Sequence, residues 1–189
     1  MSLLRFCEWL AETRGSVALH ESLFMYPLLE SAHVLTLMLF VGSATMLDLR
    51  LLGFTLREVP VSEVLDRLLP WIKAGFAVMV VTGLLLFYAI PVRTYQSIFF
   101  RVKVLMLLAA GLNVFLFNRR VRRSLPEWDL ARRPPRPARV AAALSLTLWA
   151  GVVVAGRMIA YNWFDCDRQP QPDIVNWAAG CPLTDVEAE

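Results

Sequence analysis

Glu30, His33, Lys103 and Arg157 each interrupt an otherwise apolar stretch of the chain. An ionisable side chain in such a stretch is costly, roughly 2.5–3.5 kcal/mol for Lys, Arg or Asp at the centre of a membrane span, so each is a functional candidate. Glu30 and His33 lie three positions apart and share a face if their segment is helical. An imidazole there can ligate haem iron or another transition metal. Lys and Arg near it suit the two propionates of a haem or a different anionic ligand. A His with an aromatic lining would also suit a quinone. The competing reading is a buried polar network in which Glu30 pairs with Arg157 and His33 bonds a backbone carbonyl. Bis-His ligation would need His20, which precedes the apolar stretch and reads as a surface residue. That leaves Lys103, Met106 or Met158 as candidates for a sixth ligand.

The segments that carry these residues read as membrane spans. Hydrophobic residues make up 57% of the 189, above the roughly 45–50% usual in soluble domains. Four apolar stretches, at about 24–47, 71–90, 99–117 and 140–161, match the ~20 residues needed to cross a bilayer. An all-α integral membrane four-helix bundle is therefore expected. Gly75 and Gly83 lie two turns apart on the second span, where small residues let helices approach closely. Pro27 falls in the first turn of the first span, where its missing N–H does no harm. A second polar layer, made of Asp48, Arg50, Lys73, Asn113 and Asn118, marks the opposite ends of the spans. Asp48 and Arg50 are expected to anchor the first span through headgroups and contacts with the second.

Three regions follow: an amphipathic segment at 1–22, the spans at 23–161 and a tail at 162–189. In the first, Leu3, Phe6, Cys7, Leu10 and Val17 recur at helical spacing. That pattern fits a short helix lying in the interface or packed across the mouth of the bundle. No basic, apolar and small-residue succession marks a removable signal peptide. The connection between the third and fourth spans carries Arg119, Arg120, Arg122, Arg123, Arg132, Arg133, Arg136 and Arg139. By the positive-inside rule it belongs in the cytoplasm of a bacterial inner-membrane protein, which puts both termini in the periplasm. Cys166 and Cys181 then lie where disulfides persist and are expected to be bonded, leaving Cys7 over. Tyr161, Trp163 and Trp177 would form an outer aromatic belt.

The basic balance, a net charge of +3, is concentrated in that one connection, so it sets topology and implies no nucleic-acid partner. The chain shows no glycine-rich phosphate loop, paired-cysteine metal motif or nucleophile elbow. The expected partners are the lipid bilayer and, in a non-catalytic reading, other subunits of a larger membrane complex.

The strings ESAHVLTLMLFVGSATMLDLRLLG, FRVKVLMLLAAGLN and LSLTLWAGVVVAGRMIAY resemble an uncharacterised family of four-span bacterial inner-membrane proteins over about 21–161. More distantly the chain is similar to HemJ-type protoporphyrinogen oxidases and to the membrane domain of CopD-type copper proteins. In the HemJ type a span-one His and a span-three Lys are associated with haem b, and His33 and Lys103 match those positions. The resemblance thus implies a membrane redox protein binding haem b, with protoporphyrinogen oxidation as its enzymatic version. Copper handling, which would want a Met-rich or His-rich entry motif, is a third reading. Asn118 stands where relatives of the closer pattern carry a His, and the tail from Asn162 onward lies outside the HemJ-type pattern.

Overall fold

The computed structural model describes residues 3–161, 166 and 170–181; their regular structure is all helical, with no strand among them. Helices α1 (Leu3–Ala11) and α2 (Arg14–Glu21) lead into α3 (Met25–Leu52) and α4 (Val61–Ala89). A short α5 (Pro91–Gln96) precedes α6 (Ile98–Leu116), which runs on through a π-turn (Phe117–Val121) and a 3₁₀ turn (Arg122–Ser124) into α7 (Leu125–Trp128). Then follow α8 (Arg136–Ile159) and, in the tail, α9 (Asp173–Ala179). Four segments, namely α3, α4, α6 with its continuation to Trp128, and α8, are long and apolar enough to cross a membrane.

Their burial is the reverse of a water-soluble bundle. Leu84, Leu105, Leu108 and Val140 are all more than half exposed, while small residues such as Ala138, Ala142 and Ala155 fill the helix contacts. Apolar surface on this scale needs a lipid solvent to cover it, and small residues let backbones approach where lipid gives no hydrophobic drive between helices.

The spans begin and end at different residues from those their hydropathy marks. Helix α3 continues through Asp48 and Arg50 to Leu52, and α4 starts ten positions before Trp71, with Pro70 inside it. Pro70 removes the N–H that would bond the Asp66 carbonyl, and its ring crowds that carbonyl. Those added turns project past the apolar zone at the arginine-rich end, where Glu63, Asp66 and Arg67 face out.

Helices α3 and α4 form the closest pair, antiparallel and in register at the two glycines. A Cβ on Gly75 would stand 3.0 Å from the Phe40 Cβ, and one on Gly83 would stand 3.4 Å from the His33 Cε1. Helices α6 and α8 form the second pair, and α3 joins the pairs by packing on α8. Phe40 meets Trp149 edge-on at 4.6 Å in that junction, over a core of Ala110 and Val152. Helices α4 and α6 have almost no close backbone contact, so the bundle is open along one side.

At the arginine-rich end a buried cation ties the connections together. Arg50, with 0% exposure, donates from Nε to the Val59 carbonyl at 2.9 Å, and from Nη1 and Nη2 to the Ala131 carbonyl at 3.3 and 3.4 Å. The headgroup anchor expected of Arg50 is thus corrected: its fork is spent on loop carbonyls that have no helix partner. Gly53 closes α3 in the left-handed region at φ 78°, and a Cβ there would lie 2.9 Å from the Arg132 carbonyl oxygen. Only glycine suits that cap.

Asp129 supplies the N-terminal cap that Pro60 cannot give α4. Its carboxylate accepts from the Ser62 amide at 2.7 Å and the Ser62 hydroxyl at 2.6 Å, while its carbonyl accepts from the Val61 amide at 3.1 Å. Burial opposes the charge. The hydrogen bonds from Ser62 and Val61, with the Arg50 cation, outweigh it and hold the carboxyl below its ordinary value of 3.8. A depressed folded value stabilises at pH above the unfolded value and is lost as pH falls through the folded one. Asp129→Ala should therefore cost about 1 kcal/mol, as loss of a helix cap does. In thermal-aggregation assays the gap between wild type and variant should persist at neutral pH and close only in acid below 3.8.

At the other end the amphipathic segment is two helices and not one, because Thr13 breaks the chain and caps α2. The second of these helices packs across the mouth of the bundle. The Thr13 hydroxyl meets the Tyr88 hydroxyl at 2.8 Å and Ser16 donates to the Tyr88 carbonyl at 2.7 Å, which fixes α2 across the end of α4. Leu3, Phe6 and Trp9 stay exposed, in the manner of an interfacial face. A disulfide joins Cys166 and Cys181, and Arg101 at the start of α6 holds the end of α9, donating to the carbonyls of Ala178 and Ala179. Trp177 is exposed beside them, while Trp163 lies outside the described residues. Cys7 is buried at 3% exposure, and burial foremost, with Glu8 beside it, pushes its thiol up. Alkylation of the native, unreduced protein at neutral pH should thus spare all three cysteines, and mass spectrometry should recover the Cys166 and Cys181 peptides linked. Rapid labelling of Cys7 would contradict its packing against the bundle.

Candidate functional site

The opening between α4 and α6 is a cleft of about 930 Å³, floored by α3 and α8. It runs from Phe87 and Phe100 near the terminal end to Phe117 and Arg122 near the arginine-rich end. Phe87 and Phe100 stack at 5.5 Å and 17° on opposite sides of its upper part. The lining is predominantly apolar with a few polar groups, the pattern of small-molecule and cofactor sites.

His33 enters from α3 and Lys103 from α6. The Nδ1 of His33 lies 2.8 Å from the Thr82 hydroxyl. That hydroxyl has a single proton and donates it to the Val78 carbonyl at 2.8 Å, so it can only accept from the imidazole. The proton is thereby fixed on Nδ1, and Nε2 keeps its lone pair with no protein hydrogen-bond partner among the described residues. Orientation of one ring nitrogen by a hydrogen bond, leaving the other to ligate, is the usual arrangement of a ligand histidine. Gly83 makes it fit, since a side chain there would press on the imidazole edge. Lys103 is seated in the same way by a glycine of α8: a Cβ on Gly156 would stand 3.3 Å from its Nζ.

The other two residues of the sequence-derived site stand apart from this pair. Glu30 is exposed on α3 and Arg157 is exposed on α8, its guanidinium 5.3 Å from the Tyr161 ring centre. Neither lines the cleft, and the described residues include no ion pair between them. Met106 is turned to α8, where its Sδ would stand 2.5 Å from a Cβ on Gly151, and it too is outside the lining. His20 sits edge-on to Tyr26 at 6.3 Å.

Sequence reasoning missed Thr82 and Arg101. Thr82 is the hydroxyl in the run AVMVVTGLLLF, and antiparallel pairing of the first two spans through their glycines would have put it opposite His33. The second polar layer reappears at the far end of the cleft. Asp48, Lys73, Asn113, Asn118 and Arg122 line it there, with Ser145 of α8 beside Asp48.

Fold and site together define a multi-pass helical membrane protein with a side-opening cleft that holds a polarised histidine at one end. The chain belongs to DUF6644, a family of unknown function, whose model matches residues 8–162. No curated protein and no solved structure matches it. The match takes in the stretch that carries the uncharacterised-family resemblance, while the comparisons give no support to the likeness to HemJ-type or CopD-type proteins.

Proposed function

We propose that this is a membrane redox protein that holds haem b in the cleft between α4 and α6, with His33 as axial ligand. The observation that carries the reading is the state of His33: Nδ1 is tied to Thr82, Nε2 is left to ligate, and an apolar cleft of cofactor size opens beside it. Bound there, haem supplies one-electron exchange. His33 holds and orients it, and Thr82 fixes the ring and raises its basicity. Lys103 would serve as a second iron ligand or as a propionate partner, whereas Glu30 and Arg157 lie outside the cleft lining and take no part there. The stacked phenyl rings of Phe87 and Phe100 keep water from the group. Protoporphyrinogen oxidation is the enzymatic version. The visible spectrum of the purified protein tests it: a Soret band with a reduced α-band supports haem, and a colourless preparation overturns it.

The different-class reading is an accessory subunit that braces a larger membrane complex. It is favoured by the exposed Leu3, Trp9, Ile174 and Trp177 at the terminal end. A quinone would use the same cleft. Copper handling gains nothing here, since no three His, Cys, Asp or Glu converge among the described residues.

The proposed setting is the bacterial inner membrane with the arginine-rich end in the cytoplasm. Arg119, Arg120, Arg122 and Arg123 are all exposed there. A reporter cysteine at Glu21 should be labelled by a membrane-impermeant maleimide in intact cells, and one at Arg123 only after lysis. The reverse pattern would invert the topology.

A further inference from the structure

The end of the cleft away from His33 holds a polar group that the haem reading does not use. Asp48 is buried at 7% exposure, and its Oδ2 has no hydrogen-bond partner. It lines the cleft, and from His33 to Asp48 is about 22 Å along α3 at a rise of about 1.5 Å per residue. An acceptor left open in so apolar a place is costly unless a donor reaches it. Ser145 hydrogen-bonds the carboxyl but leaves Oδ2 open, while the Asn113 amide donates to the Ala141 carbonyl at 2.9 Å and Arg50 donates to Val59 and Ala131. Lys73 and Arg122 line the same part of the cleft and have no carboxylate within ion-pair distance among the described residues. The wall around them, through Leu69, Ile72, Phe76 and Leu107, is apolar and opens sideways between α4 and α6.

We propose that this end of the cleft is a binding site for a phospholipid with an ethanolamine headgroup. Its ammonium donates to Asp48, its phosphate is held by Lys73 and Arg122, and its acyl chains lie along the apolar wall. The charge pattern selects this occupant. One open carboxylate with two cations complements a zwitterion that carries both a phosphate and N–H donors, and the lateral opening admits a lipid directly from the bilayer. A choline headgroup has the same charges but no N–H, and a glycerol headgroup has no cation.

Delipidated protein in detergent, titrated in turn with phosphatidylethanolamine, phosphatidylcholine and phosphatidylglycerol of identical chains and read by native mass spectrometry, tests the site. Wild type should prefer ethanolamine over choline by about tenfold, the scale of one hydrogen bond to a charged group. Asp48→Asn should bring the two together, and Lys73→Gln, at an exposed position that folding tolerates, should weaken both alike. Equal binding of the ethanolamine and choline lipids by wild type overturns the proposal, whatever the variants do. So does an undiminished preference in Asp48→Asn, a phosphatidylglycerol affinity equal to that of the ethanolamine lipid, or displacement of that lipid by a stoichiometric long-chain hydroquinone. Haem content is not read in any of these titrations, so their failure leaves the His33 reading standing, and a colourless protein leaves the lipid site standing.

Discussion

Arg50→Met should destabilise the protein by about 3–5 kcal/mol, the scale of leaving buried polar partners without their charge. Methionine fills much of the same volume but donates nothing. The carbonyls of Val59 and Ala131 would both be stranded, and Asp129 would lose the cation that helps hold its charge while it caps α4. The damage should fall on the connections at the arginine-rich end: limited proteolysis should cut between α3 and α4, and thermal aggregation should set in well below wild type. Arg50→Lys should be intermediate, because an ammonium cannot reproduce the fork that reaches two loops. If Arg50 only touched lipid headgroups, as its place near the end of an apolar run suggests, Arg50→Met would be nearly silent.

That contrast shows how much of the molecule could be read from its residues. Hydropathy alone gave the four spans, because a bilayer demands length and apolarity and little else. Gly75 and Gly83 marked a face of α4 for close approach, since that needs residues without side chains, but left open which helix would meet it. Burial of Arg50 was not legible: whether a cation at a span's end snorkels or turns inward depends on where two distant connections place their carbonyls. The missing contact between α4 and α6 was equally hidden, for an open cleft and a closed bundle share one hydropathy pattern. For the site, His33 and Lys103 were legible as ionisable residues inside apolar spans. Glu30 was added by its three-residue spacing from His33 and Arg157 as an ionisable group in the fourth span, but neither signal fixes where the side chain ends, and both lie outside the cleft lining.

The second large effect is expected at the imidazole. His33→Ala should insert and fold, because it exchanges a polar group for a strong helix former, and losing the hydrogen bond to Thr82 costs only about 1 kcal/mol. Cofactor retention should nonetheless collapse, since His33 is the one imidazole lining the cleft. Thr82→Val should keep the ligand but free the ring to turn and exchange its tautomer, lowering affinity by about 10–100-fold as for other partners of ligand histidines. Gly83→Val should displace the ring by steric contact and act more like His33→Ala than like Thr82→Val. Lys103→Met separates its two roles: a change in absorption marks an iron ligand, and weakened retention with an unchanged spectrum marks a propionate partner.

The most direct measurement is the reduced-minus-oxidised difference spectrum, with haem quantified per polypeptide, of wild type and His33→Ala purified side by side at equal yield. The account predicts about one haem b per wild-type chain, in keeping with one ligand histidine per cleft, and almost none in the variant. A wild-type protein without haem would contradict the redox function, and an equal haem content in both proteins would contradict the assignment of His33.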